Sequence, residues 1–474
     1  MSDASTESPP RLAVIALARP TFDMEYAETR LAAMLSCMHD VMGGQAIDPL
    51  MVTDADSGAA AKAALGTREF DAILVLQLTF TDAAFIAELA KTFSQPLSIW
   101  AVPEPRLGGR LRLNAFCGLN LAAHALGLNE RLFSWLYLDP DDRRAAEGLA
   151  RLLSAQHQVV PLFGETARGN AEEGQALLNA LRGRRIARIG EHPTGFHTCF
   201  YDPATLRALA GIEVDELDLS QLFDAARAVP DDAAAMVRAE AGRSLKGLDA
   251  VDQEQLDRSL KLKSALSDMR RGGAYDAFAI RCWPETFTEY GGAVCGPVSM
   301  MGEARVPCAC EADVFGAVSQ LLVQAVSGAP VFLTDIVDMD GEDDSGIVWH
   351  CGQAPASMAA DPEAMEATIH TNRRMPLLYQ FALKPGRVTL ARISQARGQM
   401  SLVLGSGEVL DRPMAFTGTS GVVRFDGGTG QALDRLIAAG IEHHLVLAYG
   451  DHREALRNFA AAANLPVLDL SVTA

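Results

Sequence analysis

Apolar residues follow two rhythms along this chain, and the switching between them shapes its first third. Leu12 to Ala18 (LAVIALA) is an unbroken apolar run of the kind buried on both faces of a sheet, and Tyr26 to Met42 repeats its apolar positions at helical spacing. Asp71 to Leu78 (DAILVLQL) is a second strand run, Thr81 to Phe93 is helical, and Pro96 to Val102 (PLSIWAV) makes a third strand. Strands separated by helices predict a parallel sheet with helices on its faces, which binds ligands at the carboxyl ends of its strands. The turn after the first strand reads Arg19-Pro20-Thr21-Phe22-Asp23 and lacks the G-x-G-x-x-G of a dinucleotide site.

The same rhythm returns from Arg184 to Ile189 and from Glu213 to Leu219, which predicts a second α/β unit. Gln221 to Ser267, rich in Ala, Asp, Glu and Arg, reads as two or three exposed helices, and the unit resumes with the strand Ala277 to Cys282 and ends near an acidic loop, Asp338 to Asp344. After about Pro376 short strands alternate with turn signals: Gly386 to Ser394, Gln399 to Leu404, the turn Gly405-Ser406-Gly407, and Gly421 to Phe425. A strand at Leu445 to Ala448, a helix from Asp451 to Asn464 and a strand near Pro466 to Leu468 close the chain. The expected fold class is therefore α/β, with two Rossmann-like parallel-sheet domains followed by a β-rich, barrel-like third. The expected boundaries are a disordered stretch at 1–10, a first α/β domain at 11–170, a second at 171–350 and the β-rich domain at 351–474.

Composition narrows the class of partner. With 474 residues, 49% of them hydrophobic, the chain has ample material for large cores. The 41 basic against 60 acidic residues leave a net charge of −19, a field that repels nucleic-acid backbones and anionic bilayers, so neither nucleic acid nor membrane is an expected partner. No apolar run is long enough to span a bilayer and the first ten residues lack the basic start and apolar core of a secretory signal, which points to the cytoplasm. The eight scattered cysteines are expected as free thiols.

Val306 to Asp335 carries the densest chemical signal. A short strand leads to Glu311, a helical run spans Ala312 to Gly328, and the strand Ala329 to Thr334 ends on Asp335. As a β-α-β unit this puts a carboxylate at the end of each of two adjacent strands, about 5 Å apart, where both converge on one small ligand or metal ion. Taken singly, Glu311 also suits a first helical turn and Asp335 a cap. His350, soon after the acidic loop, and His443-His444, before the late strand, supply imidazoles. Two carboxylates and imidazole suit a divalent ion such as Mn²⁺, with zinc on Cys308 and Cys310 as the competing reading.

Arg281-Cys282-Trp283-Pro284-Glu285, Cys295-Gly296, Ala309-Cys310-Glu311-Ala312-Asp313, Thr334-Asp335 and His350-Cys351-Gly352 resemble the L-fucose and L-arabinose isomerase superfamily, most strongly its L-fucose isomerase-like branch. Arg19-Pro20-Thr21-Phe22-Asp23, Trp100 to Pro105, and His443-His444 followed by Tyr449-Gly450 extend the resemblance over nearly the whole chain. It implies aldose–ketose interconversion with a divalent metal, usually Mn²⁺. Glu311 and Asp335 match the acids that bind metal and move protons, and His444 matches the late metal-binding histidine. In the arabinose isomerase branch a histidine in the region corresponding to His350 is a ligand, whereas the fucose isomerase branch does without it, so here the resemblance places His350 among the substrate contacts with Arg19, Trp100, Arg281 and Trp283. The resemblance also implies a homo-oligomer, a hexamer or related cyclic assembly, in which first-domain loops cover a neighbour's metal site.

Arg19, Arg281 and Arg305 are candidates for an anionic group on the sugar, against the plainer reading that they pair with surface acids. The expected function is a metal-dependent isomerase acting on an open-chain monosaccharide, modified or acidic, through an enediol. Two rivals stand beside it: a metal-dependent epimerase or aldolase using the same site, and a non-catalytic sugar-binding regulator.

Overall fold

The structure is a computed structural model that describes residues 11–154 and 158–472; the expectation of disorder at 1–10 lies outside the described residues. The chain divides into two compact units near residue 161, with residues 106–111 belonging to the second.

In the first unit, β1 (Leu12–Leu17), β2 (Leu50–Val52), β3 (Ala72–Gln77), β4 (Leu97–Ala101) and β5 (Ser134–Tyr137) form a wholly parallel sheet in the order β2-β1-β3-β4-β5. The three expected strands are its centre, where burial on both faces demands continuous apolar runs. The two outer strands were not predicted: LMV and SWLY are too short to show a period. The helix Met24–Val41 starts where the Asp23 carboxylate accepts the Tyr26 N–H, and buries Ala27, Met34 and Met38 against the sheet.

The second unit opens with a four-stranded parallel sheet made of β6 (Arg185–Ile189), β7 (Glu213–Leu217), β8 (Ala277–Ile280) and β9 (Cys308–Cys310), in the order β7-β6-β8-β9. The stretch between β7 and β8 forms three helices, Leu219–Arg227, Asp231–Ala241 and Gln253–Gly273. Two of them lay Leu222, Phe223, Ala226, Leu262, Ala265 and Leu266 on that sheet. They are amphipathic rather than simply exposed.

Next come β10 (Phe332–Asp340), β11 (Ser345–His350), β12 (Glu366–Thr368), β13 (Leu378–Ala382), β14 (Gly386–Ser394), β15 (Ser401–Val409), β16 (Thr419–Phe425), β17 (His444–Tyr449) and β18 (Val467–Asp469). They make one mixed sheet, β12-β13-β16-β11-β10-β17-β14-β15-β18, and an additional β15–β16 pairing closes its six antiparallel central strands into a ring. With β12, β13 and β18 extending it, this is a β-rich sheet with a closed middle and not a plain barrel. Gly405-Ser406-Gly407 is not a turn but the interior of β15. A Cβ on Gly407 would stand 2.4 Å from the Arg424 carbonyl oxygen, so glycine is what lets β16 come close enough to pair.

Two expectations about Val306 to Asp335 are corrected. The strands around the helix Val314–Ser327 are not neighbours, because β9 pairs only with β8 whereas β10 pairs antiparallel with β11 and β17. The helix lies between the two sheets, with Val314 to Val323 all buried among Ala277 and Ala279 on one side and Leu333, Ala391, Ile393 and Val446 on the other. Asp335 therefore belongs with the later strands. It also does not end its strand: β10 runs on to Asp340, so most of the supposed acidic loop is strand and hairpin. Among the described residues no helix is long and apolar enough to cross a membrane.

Candidate metal and sugar site

Two local devices bring the expected residues together. Between β9 and the following helix the chain turns sharply, the Ala312 N–H reaching the Ile280 carbonyl and the Asp313 N–H the Cys310 carbonyl. Glu311 (φ 60°) and Ala312 (φ 57°) are held left-handed there, a conformation costing each about 1–3 kcal/mol and kept only where the surroundings enforce it. Asp313, not Glu311, opens the helix, its carboxylate accepting the Gly316 N–H at 2.8 Å. The second device is register. Asp335 of β10 stands directly opposite His444, the first residue of β17, and directly opposed side chains share one face of a sheet.

His444 is the centre of the result. Its Nδ1 meets the Asp313 Oδ2 at 2.9 Å, and its Nε2 lies 3.7 Å from Glu311 Oε2 and 3.6 Å from Asp335 Oδ1. Because a carboxylate can only accept, Nδ1 carries the proton and the Nε2 lone pair faces the two acids. Glu311 is fixed on both oxygens: the Trp283 indole N–H donates to Oε1 at 2.9 Å, and His443 Nε2 meets Oε2 at 2.8 Å. Phe196 packs edge-on against both Trp283 and His443. Asp335 Oδ1 is buried and has no hydrogen-bond partner among the described residues.

Arg392, fully buried, makes Asp313 an anion that can be spared for orientation. Its guanidinium grips both Asp313 oxygens, at 2.7 and 2.9 Å, and its Nε approaches Glu442 at 3.4 Å. Burial opposes the charge on Asp313, but Arg392 and His444 outweigh it and hold the carboxyl far below the usual range. Burial acts the same way on Glu311, where His443, His444 and Trp283 prevail and bring it down to about 2. Asp335 has no such support. Burial, reinforced by Glu311 and Asp313 and only partly offset by His444, pushes it up to about 7. An imidazole lone pair flanked by a carboxylate on either side, one of them with a buried oxygen left without a partner, fits a divalent cation. Asp335, His350 and His444 each offer a donor atom within 4.8 Å of the others, as do Cys199, Glu311, His443 and His444.

Of the residues singled out from sequence, Glu311, Asp335, His444, His350 and Trp283 are thus gathered in one place. Arg281 lies at the end of β8, but its guanidinium is spent on both oxygens of Glu285, each at 2.6 Å, and on the carbonyls of Glu191 and His192. Arg305 is exposed. In the first unit Arg19 pairs with Asp82, and Trp100 is a core residue, fully buried with its N–H on the Leu138 carbonyl. Cys308 and Cys310 join neither donor group; burial keeps the Cys308 thiol protonated, and contact with Cys282 together with burial does so for Cys310. Sequence reasoning missed Asp313, Arg392 and Glu442. An arginine at the inward position of an apolar strand, Leu390-Ala391-Arg392-Ile393, was the available sign, because such a charge needs a buried acid.

Asp313 supports a direct prediction. In Asp313→Asn, Arg392 claims the single amide oxygen, which turns the NH₂ toward His444 Nδ1 and moves the ring proton to Nε2. Metal affinity should fall by about 10- to 100-fold, as it does when residues that orient a ligand are lost. Equilibrium dialysis with Mn²⁺, beside a thermal melt to confirm folding, checks it.

Comparison with known proteins agrees with this architecture. Residues 13–160 match the family model for the N-terminal domain of fucose/sulfoquinovose isomerases, and residues 348–471 match that for the C-terminal domain of L-fucose isomerase. The chain is 30% identical over 401 residues to a protein of Alkalicoccus urumqiensis named sulfoquinovose isomerase, covering 84% of this chain and 86% of that one. It is 28% identical over 453 residues to a protein of the same name from Priestia aryabhattai, covering 95% and 97% respectively.

Proposed function

The chain belongs to the fucose/sulfoquinovose isomerase family, and from that premise we propose that it is a divalent-metal-dependent aldose–ketose isomerase acting on sulfoquinovose. The observation that carries the metal dependence is the His444 imidazole, fixed by Asp313 with its lone pair between Glu311 and Asp335. Those three residues would hold the ion, Mn²⁺ by the chemistry of the donors. When bound, the ion supplies positive charge beside the sugar oxygens and so eases loss of a proton from the carbon next to the carbonyl.

The chain's own residues account for the proton's path. One of Glu311 and Asp335 takes the proton from the carbon next to the carbonyl, and the enediol forms as the carbonyl oxygen gains a proton. The other acid then gives a proton to the former carbonyl carbon while the neighbouring hydroxyl releases its own to become the ketone, and proton exchange with solvent resets both acids. Trp283 and His443 keep Glu311 from rotating while this happens, and Phe196 packs against both. An anionic substituent on the sugar is supported by the name that the relatives carry, sulfoquinovose isomerase. The same reading takes the protein as a cytoplasmic homo-oligomer, hexameric or cyclic, in which Arg19 reaches a neighbour's site.

An aldose panel offered to Mn²⁺-loaded protein tests the substrate. Sulfoquinovose should yield a ketose of unchanged mass, with kcat/KM exceeding that for glucose by at least about tenfold, the worth of one charge-assisted hydrogen bond. Smaller fragments would indicate an aldolase, and a C2-epimeric aldose an epimerase.

A further inference from the structure

His350 and His444 are stacked imidazoles, with centroids 5.5 Å apart and planes inclined by 27°, but their neighbours fix opposite tautomers. On His444 an acceptor, the Asp313 carboxylate, meets Nδ1. On His350 a donor does, because the Cys351 backbone N–H points at Nδ1 at 2.8 Å. A neutral imidazole has one proton, so with the Nδ1 lone pair already engaged the proton of His350 resides on Nε2. That Nε2 is buried and has no partner among the described residues. A buried N–H left unsatisfied is costly, and in a site it marks the place of a ligand acceptor.

We propose that His350 is a hydrogen-bond donor to the substrate and not a metal ligand: its Nε2–H is aimed at the sugar oxygen on which negative charge builds as the proton leaves the neighbouring carbon. This rests on the isomerase reading above and deepens it by giving His350 an atom and a role. A metal ligand at that nitrogen would need the lone pair that the Cys351 N–H forces onto the other side of the ring. The two stacked histidines then divide the work, one offering a lone pair to the ion and the other a proton to the sugar.

Three proteins decide it: wild type, His350→Phe, which fills the volume without a donor, and His350→Gln, whose amide N–H restores one. Each is dialysed after Mn²⁺ loading, assayed for bound ion, and then measured on sulfoquinovose. Both variants should retain the ion at the wild-type ratio. His350→Phe should lose about a hundredfold in kcat, as when a single donor to a developing oxyanion is removed, and His350→Gln should recover at least about tenfold of that. Loss of the ion from either variant, near wild-type turnover by the Phe variant, or no advantage of Gln over Phe would overturn the assignment. If the Phe variant does not fold, ion retention by His350→Gln with turnover within about tenfold of wild type supports the assignment, and ion loss refutes it. Wild-type protein inactive on every aldose contradicts the isomerase reading instead, while the ion content of the variants still reports on His350.

Discussion

Glu311→Gln and Asp335→Asn, each loaded with Mn²⁺, are expected to isomerise at no more than about one hundredth of the wild-type rate, the lower end of what general acid–base groups contribute. Each substitution keeps size and shape but removes the group that accepts a proton. Glu311 should be the more sensitive to charge, because Trp283 and His443 hold its carboxyl as an anion, and an amide there can satisfy only one of two donors. Asp335→Asn should be the easier to fold, since burial already disfavours charge at that position and its Oδ1 has no partner to lose. Rates taken beside ion content separate a failure of proton transfer from a failure to bind metal. A variant with full ion and near wild-type rate would remove that residue from the proton path.

Much of this site could be read from the chain before any coordinates, and the parts that could not share a cause. Glu311 and Asp335 were legible as acids flanking a strand-helix-strand stretch, and each approaches His444, but the geometry that brings them there is different. Strand partners are chosen over long distances, and β10 pairs with β17, more than a hundred residues later. In the structure Val314 to Val323 are buried all round, because the helix between the acids lies between two sheets. Arg281 and Glu285 stand four residues apart in the sequence, and the structure pairs them, the plainer of the two readings of that arginine. The resemblance places Trp100 among the substrate contacts, whereas its position in the apolar run Leu97 to Val102 suits the core strand in which it is found. The orientation of His350 was out of reach, because it depends on one backbone N–H.

Stripping the ion is expected to abolish turnover entirely, a larger effect than any single substitution outside the ligands. Glu311, Asp335 and His444 are the only protein donors assigned to the cation, which leaves coordination positions for sugar oxygens. A set of two carboxylates and one imidazole suits Mn²⁺, whereas Ca²⁺ prefers six to eight oxygens and longer bonds and should restore little activity. The measurement that tests the central claim most directly is ketose formation from sulfoquinovose by wild-type protein, before chelation, after chelation with metal content verified by elemental analysis, and after Mn²⁺ is returned. The site described here predicts activity in the first and third samples and none in the second; full ketose formation by protein shown to be free of metal would contradict it.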